Sequence, residues 1–410
     1  MKQICNRYIL HHLPFLICMV LLGILIVWPT GYEDAVIYQG TDRCRAQVLA
    51  TDESTVISSG LIRSGEQDCT VRLLGGRFKG QETQAYNLLT GSLQTDKIYA
   101  VGDIAQVVIS YQNDEIISVN MIDHYRLDKE VILLMIFSAV LIIFAKGIGL
   151  RSLLSFVITV LMIWKILVPG CLNGGNPILT GLAIITVLTV VIISLVYGYD
   201  RRFLAASSGV MLGVITTCIL GIVFTRLFKI HGAVMSNSES LLYSGYEYLN
   251  LTEIFMASIF IGASGAIMDI AVDITSAVYE VVEKKPEIDW KEAAMSGIHV
   301  GRAAMGTMST TLLLAYSGGY LALLMVFMAQ GTPVYNILNY KDVASEILHT
   351  IVGSFGLVAV APFTALMSGL LLVNHKKILN KTQKNSINME NNQKIWYNML
   401  EKVSYFFTYL

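Results

Sequence analysis

The sequence contains few charged residues. Only 14% of its 410 residues are Asp, Glu, Lys or Arg, whereas 54% are hydrophobic and the mean hydropathy is +0.60. Soluble domains carry about 25% charged residues, so this composition excludes an ordinary water-soluble chain and indicates an integral membrane protein. The formal net charge is −1, and the basic residues form short clusters rather than one stripe. We therefore expect no nucleic-acid partner.

The sequence also lacks the motifs of common catalytic and metal sites. Its six cysteines show no metal-ligand spacing, and neither a Gly-x-Ser-x-Gly nor a His-Glu-x-x-His motif occurs. We therefore predict no metal, no cofactor and no enzymatic activity. Only Cys44 and Cys69 share a soluble region, and the sequence leaves open whether they form a disulfide.

Apolar and polar stretches divide the chain into four parts. Residues 1–29 predict a cytoplasmic N-terminus and an uncleaved signal-anchor helix; a signal peptide is the alternative, but the apolar run lacks a small-x-small cleavage pattern. Residues 30–129 alternate between apolar and polar residues and predict a β domain. Residues 130–375 predict a membrane domain of seven helices, and residues 376–410 predict a cytoplasmic polar tail.

The β domain is predicted to contain five short strands, with a tight turn at Asn113-Asp114 between the last two. Five short strands in a segment of this size predict a small barrel of OB type or a compact sandwich. The predicted strands lie at residues 44–50, 69–74, 82–89, 104–111 and 116–122.

The apolar runs after residue 129 are long enough to span a bilayer, which takes roughly 20 residues. Together with the N-terminal helix they predict about eight transmembrane helices. The predicted fold is therefore an all-α membrane bundle with a small extracytoplasmic all-β domain between helices 1 and 2. Lysine and arginine lie in alternate loops and after the last run, so the positive-inside rule places both termini in the cytoplasm. The runs lie at residues 130–146, 151–169, 177–197, 203–225, 252–279, 303–329 and 346–373.

Two aspartates inside an apolar run are the most unusual feature of the sequence. Asp269 and Asp273 are one helical turn apart and share a face with glycine and serine. A charge that faces lipid is strongly penalised, so this face should look into the bundle or into a wet cavity. Arg302, near the start of the next run, is the expected partner of both carboxylates. The three residues either bind and release protons or form a structural ionic brace, although a brace needs only one acid per base.

Small and hydroxylated residues accompany these charges. Ser309 and Thr310 share the polar stripe of Arg302, and we include them with the aspartates as residues linked to an ion or a substrate. Helical hydroxyl groups also bond to their own backbone, which is the alternative for both. Close helix packing is predicted for the glycines that recur at short steps on the two runs. These glycines are Gly262, Gly265, Gly301 and Gly306.

Two blocks of the sequence resemble the YibE/F-like family of bacterial multi-pass membrane proteins. The first is G-A-x-G-A-x-M-D-x-A from Gly262 to Ala271, and the second is G-R-x-x-M-G-T-M-x-x-T-L-x-L-A-Y from Gly301 to Tyr316. The resemblance covers roughly residues 130–375. It implies a polytopic protein of the bacterial plasma membrane that is often described as a permease, in a family without a settled activity.

The second block departs from the family pattern at two positions. Ala303 stands where members of the family commonly have an acidic residue, and Thr310 stands where they commonly have an asparagine. A mechanism that needs that acid or that amide is therefore not implied for this chain.

These features together predict a permease or secondary transporter for an unidentified small solute or ion, with proton coupling through Asp269 and Asp273. The alternative is a scaffold or sensor that transports nothing and whose outside β domain binds a protein partner. The lipid bilayer is the partner that the composition requires under either hypothesis.

The predicted orientation can be tested with a membrane-impermeant thiol reagent on intact cells. A cysteine introduced at Ser92 should be labelled because the β domain is predicted to lie outside, whereas a cysteine introduced at Asn388 should be spared until the cells are opened. Labelling at Asn388 but not at Ser92 would contradict the orientation.

Overall fold

The computed structural model describes residues 2–33 and 40–373. The chain falls into two compact units, one formed by Gly31–Leu150 and the other by Met1–Thr30 with Arg151–Leu410. The predicted tail at residues 376–410 lies outside the described residues. The strands are β1 (Thr41–Asp52), β2 (Ile57–Ser59), β3 (Ile62–Leu73), β4 (Glu82–Thr90), β5 (Ile104–Gln112) and β6 (Glu115–His124). The α-helices are α1 (Lys2–Val27), α2 (Leu127–Met162), α3 (Val168–Leu172), α4 (Pro177–Tyr197), α5 (Arg201–Leu227), α6 (Ser238–Tyr243), α7 (Leu251–Lys284), α8 (Trp290–Ser317), α9 (Leu321–Ala329), α10 (Val334–Asn339) and α11 (Lys341–Val373).

Five strands of the first unit close into a barrel. β1 pairs antiparallel with β3 and β5, β3 with β4, and β5 with β6. A parallel contact between Tyr86 of β4 and Asn120 of β6 completes the ring. Without the three-residue β2, which pairs with β3, the order around the barrel is β1-β3-β4-β6-β5. This order is that of an OB-fold barrel, so the structure confirms the barrel rather than the sandwich.

The alternation of apolar and polar residues located all five barrel strands. β3 begins earlier than predicted, at Ile62, because its first residues form a hairpin with β2. The turn between β5 and β6 is confirmed at Asn113 and Asp114, which have φ angles of 48° and 66°. A two-residue hairpin turn of type I′ requires positive φ at both central positions, and Asn and Asp tolerate this conformation better than most residues.

Cys44 and Cys69 do not form a disulfide in the barrel, where both are free thiols. Cys69 lies opposite Thr51 in the ladder between β1 and β3. Thr51 is roughly 20 Å along β1 from Cys44 at the rise of an extended strand, whereas the Cα atoms of a disulfide lie within about 7 Å. Burial in the apolar core raises the pKa of Cys69 to about 11, so this thiol stays protonated at neutral pH.

A buried amide network holds the segment before β5 against the barrel. The Gln67 side chain is fully buried, and its Oε1 accepts hydrogen bonds from the Tyr99 backbone N–H and from the Asn87 amide, each at 3.0 Å. Its Nε2 donates to the Tyr99 carbonyl oxygen at 2.9 Å. The Asn87 amide also donates to the Lys97 carbonyl oxygen at 2.7 Å. Because buried polar groups must be paired, Gln67 fixes the position of this segment.

Side-chain caps define the starts of the long helices in the second unit. The side chain of Asn176 accepts from the Leu179 N–H at the start of α4, and Asp200 accepts from the Arg202 N–H at the start of α5. Asn250 caps α7 in the same way. Asp289 caps α8 by accepting a hydrogen bond from the Lys291 N–H. Each cap satisfies a backbone donor that the first helical turn leaves unpaired.

Within residues 2–33 and 40–373, six helical segments are long and apolar enough to cross a membrane by length and composition. The predicted number of about eight is not confirmed. One reason is that the runs predicted at residues 130–146 and 151–169 form a single segment, Leu127–Leu172. This segment is interrupted at Lys146, whose φ of 50° and ψ of −124° are not helical. The other is that the apolar part of α1, Leu13–Val27, is shorter than the six. The six segments are Leu127–Leu172, Pro177–Tyr197, Arg201–Leu227, Leu251–Lys284, Trp290–Ala329 and Lys341–Val373.

Two predicted helix boundaries differ from those in the structure. The run predicted at residues 303–329 begins at Trp290, because Asp289 caps it there, and is interrupted by the tight turn Gly318–Tyr320. The last helix begins at Lys341 rather than at residue 346. Glu346 therefore lies inside the helix and not at its end.

α7 is the central helix of the second unit and contacts α4, α5, α8 and α11. Ile267, Ile270 and Ile274 on its buried side have no accessible surface. Apolar side chains on one side of α7 therefore fix the direction in which its opposite side points.

Glycines bring α11 close to α5. A Cβ atom at Gly213 of α5 would lie 3.0 Å from the Val360 Cβ, and Gly209 and Gly356 would clash with Thr364 and Thr217 respectively. Small residues allow such close backbone approach between membrane helices. This contact fixes α11 against the bundle.

The Gln67 network predicts a stability effect confined to the barrel. Gln67→Leu keeps the volume but removes the partner of the Tyr99 N–H, of the Tyr99 carbonyl oxygen and of one of the two Asn87 amide N–H groups, so it should destabilise the barrel by about 2 kcal/mol or more. Hydrogen exchange of the full-length protein should show this as faster exchange in β3 and β4. Gln84→Leu, at an exposed position of β4, is the control and should change the stability by less than about 0.5 kcal/mol. Equal exchange in the two variants would contradict the assigned role.

Candidate functional site

One side of α7 carries the predicted acidic residues, and among the described residues other helices contact it only near its two ends. Gly262, Gly265, Asp269 and Asp273 are all exposed, and Ser276 continues the same side at intermediate exposure. We call these five residues the polar face of α7. It extends over about 21 Å at 1.5 Å per residue, and Asp269 and Asp273 lie about 6 Å apart along the axis. The placement agrees with the expected polar stripe.

An aromatic and basic cluster adjoins the polar face near the Lys284 end of α7. The Tyr197 hydroxyl lies 2.6 Å from the Val272 carbonyl oxygen, to which it donates, and 2.7 Å from the Ser276 hydroxyl. The Arg202 guanidinium lies over the rings of Tyr197 and Tyr279, at 5.1 Å and 4.4 Å from their centroids. The structure therefore links Ser276 of the polar face to the positive charge of Arg202 through Tyr197.

Arg202 is held in this position by its own helix start. Its guanidinium forms an ion pair of 2.7 Å with Asp200, the residue that caps α5. A cavity of about 490 Å³ opens beside it, and the polar residues that line it include Asp200, Arg202, Tyr279 and Glu283. In the sequence, Arg202 is one of two basic residues in a loop between apolar runs. Its contacts with Tyr197 and Tyr279 join three helices, so no local sequence pattern predicts them.

Arg302 is not paired with the aspartates. It is exposed on α8, and no ion pair between Arg302 and either Asp269 or Asp273 occurs in the part of the chain that the structure describes. The neighbouring Gly301 is buried against Ala361 and Ile274, so the α8 backbone passes close to α7 at this level. Arg302 therefore forms no ion pair with Asp269 or Asp273, and the contact beside it is with the apolar side of α7.

The other residues predicted for the site differ in their surroundings. Thr310 is exposed and donates to the Gly306 carbonyl oxygen of its own helix at 3.3 Å, while Ser309 is partly buried. A Cβ atom at Gly265 or Gly306 would meet no atom within 4 Å. These two glycines leave open space on α7 and α8, whereas Gly301 and Gly262 lie against other helices.

A second polar cluster, which the sequence analysis did not identify, lies near the Leu251 end of α7. Gly262 faces it, because a Cβ atom there would meet the Tyr316 hydroxyl and the His349 Nε2. The Tyr316 and His349 rings lie 4.5 Å apart, and Tyr320 interacts with the Glu346 carboxyl group. We call Tyr316, Tyr320, Glu346 and His349 the outer cluster.

The outer cluster contains three buried polar atoms without a hydrogen-bond partner. They are the Tyr316 hydroxyl, the Glu346 Oε2 and the His349 Nε2. The spacing of Glu346 and His349 by three residues in an apolar helix was the available signal. It was missed because the predicted helix began at residue 346, which placed Glu346 at the boundary where an acid is unremarkable.

Metal ligation finds no support within residues 2–33 and 40–373. No group of three or more His, Cys, Asp or Glu side chains converges there. The polar face offers two carboxylates and a hydroxyl, and these groups can accept protons or hydrogen bonds from a solute.

In the part of the chain that the structure describes, six long apolar helical segments, one of which is the central helix α7 with its polar face, define a polytopic helical membrane protein. A family model described as YibE/F-like protein matches residues 133–374, which is more than half of the chain. The chain therefore belongs to the YibE/F-like family, and the resemblance found in the two sequence blocks is confirmed. No curated protein and no solved structure matches the chain.

Proposed function

We propose that the chain is a permease of the bacterial plasma membrane in which protonation of Asp269 and Asp273 is coupled to the movement of a small solute. One observation carries the proposal: two carboxylates lie on an exposed face of a helix whose other sides are buried among apolar residues. A structural ion pair would instead place each acid against a base.

The environment of that face supports a water-accessible path. A carboxylate in contact with lipid is strongly disfavoured, so Asp269 and Asp273 require water or protein beside them. Gly265 leaves open space next to Asp269, and the 490 Å³ cavity beside Arg202 lies near the other end of the face. Protons could reach the two carboxylates through such a path, in which Gly and Ser offer little obstruction.

Two neighbouring carboxylates suit proton coupling. Asp269 and Asp273 lie one helical turn apart, about 6 Å along the axis, so their negative charges repel each other. Arg302 is not bonded to either carboxylate and is the cation that would pair with an aspartate in a second state. Protonation of the pair would favour the unpaired state, because it removes the attraction for Arg302.

The orientation assigned from basic residues completes the proposal. With both termini in the cytoplasm, the outer cluster lies in the extracytoplasmic half of the bilayer, Asp269 and Asp273 lie in the cytoplasmic half, and the β barrel lies outside. The scaffold or sensor alternative uses the barrel for protein binding and needs no path along α7. Reconstituted liposomes separate the two functions, since a sensor moves neither protons nor solute.

Single substitutions at the acid pair and at Arg302 should separate coupling from stability. Asp269→Asn, Asp273→Asn and Arg302→Ala should each abolish proton-linked flux, measured with a pH-sensitive dye inside liposomes during challenge with a solute panel. Because Arg302 is not bonded to either acid, each variant should keep its unfolding free energy within about 1 kcal/mol of the wild type. Glu239→Gln, which replaces an exposed acid of α6 outside the proposed path, should leave both quantities unchanged.

An ionic brace predicts the opposite pattern for these variants. Removal of one partner of a buried pair costs about 3–5 kcal/mol, so the single variants would be unstable. Recovery of stability in the double variant Arg302→Ala/Asp269→Asn would then show that the residues are a brace and would overturn the proposed function.

A further inference from the structure

We propose that the cavity between the end of α8 and the start of α11 binds an organic ammonium ion, with the Glu346 carboxylate as its counter-ion. The proposal rests on the proposed function, because it names the class of solute that the permease would move. It concerns the outer cluster and not the acid pair on α7.

The cavity has about 250 Å³ of space and is lined mainly by apolar side chains. Glu346, Tyr320, Ser317 and Thr350 are the polar residues in its lining. Pockets for drug-sized ligands are typically about 300–1,000 Å³, so this cavity suits a small molecule with one ring or a short chain. The remaining lining residues are Leu313, Leu324, Val343, Ile347 and Ile351.

The orphaned polar atoms indicate what the cavity lacks. Among the residues that the structure describes, the Glu346 Oε2 is buried without a partner, and so is the hydroxyl of Tyr316, whose ring lies 4.5 Å from that of His349. Buried polar atoms in native proteins are almost always paired with protein, water or a ligand. An acceptor oxygen in an apolar cavity calls for a donor, and an ammonium N–H is the donor that also balances a negative charge.

The lining distinguishes between kinds of cation. An inorganic cation needs several oxygen ligands to replace its water shell, and an apolar lining with one carboxylate does not provide them. An ammonium group on an apolar body needs one charged partner, aromatic rings and apolar contacts. Tyr320 lines the cavity and interacts with the Glu346 carboxyl group, so its ring can contact a cation bound there.

The same carboxyl group offers a route to exchange. Glu346 can hold either a proton or the positive charge of the ligand, because one carboxylate balances one charge. Four titratable groups surround this carboxyl group. Tyr316 and Tyr320 interact with Glu346 itself, Asp342 interacts with Tyr320, and the His349 ring lies against that of Tyr316. Binding of an ammonium ion to Glu346 therefore releases one proton when the carboxyl group starts protonated.

Equilibrium binding of radiolabelled 2-phenylethylammonium to the purified full-length protein tests the site. In nanodiscs of phosphatidylcholine, the wild type should bind the amine saturably. Glu346→Gln keeps the shape of the side chain and should weaken binding about tenfold or more, since hydrogen bonds to a charged group are worth about 1.5–3 kcal/mol. Glu239→Gln, the same substitution at an exposed position of α6, should bind as the wild type does.

A second variant keeps the test valid if Glu346→Gln misfolds. Ser317→Leu fills the cavity and removes no charge. The hydrogen bond that it removes lies within one helix, because the Ser317 hydroxyl donates to the Leu314 carbonyl oxygen of α8. It should also weaken binding of the amine. The neutral analogue 2-phenylethanol should compete poorly in the wild type, because it cannot balance the charge of Glu346.

Lipids with a primary ammonium headgroup, which offers the N–H donors that the quaternary group of phosphatidylcholine lacks, are the other source of this chemistry. Nanodiscs that contain phosphatidylethanolamine should raise the apparent Kd of the probe if the lipid occupies the site, and should leave it unchanged if the natural ligand is a free solute. No saturable binding to the wild type, or equal affinity of the wild type and Glu346→Gln, would overturn the proposal.

The failure of this site is distinguishable from failure of the proposed function. Proton-linked flux in liposomes without amine binding would remove the assigned solute class alone. Amine binding without any flux would remove the transport function and leave the binding site in place.

Discussion

The cost of a charge in contact with lipid is the constraint on which this account of the protein depends. Asp269 and Asp273 lie in the middle of an apolar helix, and the structure leaves both exposed rather than buried in ion pairs. Their side of α7 must therefore meet water or protein in the membrane. The apolar side of α7, with Ile267, Ile270 and Ile274 fully buried, holds the helix in this rotation. Packing on one side of the helix thus determines where its carboxylates point.

Close helix contacts at glycine place the two polar clusters at opposite ends of the same face. Gly262 brings α7 against Tyr316 and His349, and the Gly209 and Gly356 contacts fix α11, which carries Glu346 and His349. At the other end, Tyr197 donates to the α7 backbone, and its hydroxyl lies within hydrogen-bonding distance of Ser276. The polar face of α7, which consists of Gly, Asp and Ser residues, lies between these two clusters. Such an arrangement is expected for a path that crosses part of a membrane rather than for an isolated brace.

Local periodicity in the sequence predicted most of the fold and part of the site. Alternation at period two located the five barrel strands, long apolar runs located the spans, and the i, i+4 spacing of Asp269 and Asp273 identified the acidic face. The contacts of Arg202 with Tyr197 and Tyr279 could not be predicted in this way, because they join residues of three helices through tertiary packing. Glu346 was missed for a different reason, since the start of α11 decides whether this acid lies inside the apolar helix or at its boundary. Lys146 shows the same limit, because one non-helical residue decides whether a segment counts as one helix or two.

The accessibility of Gly265 to water tests the central claim most directly. With the six native cysteines replaced, Gly265→Cys places a thiol where the structure leaves open space beside Asp269. Ser264→Cys, on the buried side of the same helix turn, is the matched control. A charged methanethiosulfonate reagent should modify the cysteine at position 265 rapidly in membranes and leave position 264 unmodified. Equal protection of both positions, or a disulfide between two copies through position 265, would show that lipid or a second protein chain covers the face and would contradict the account.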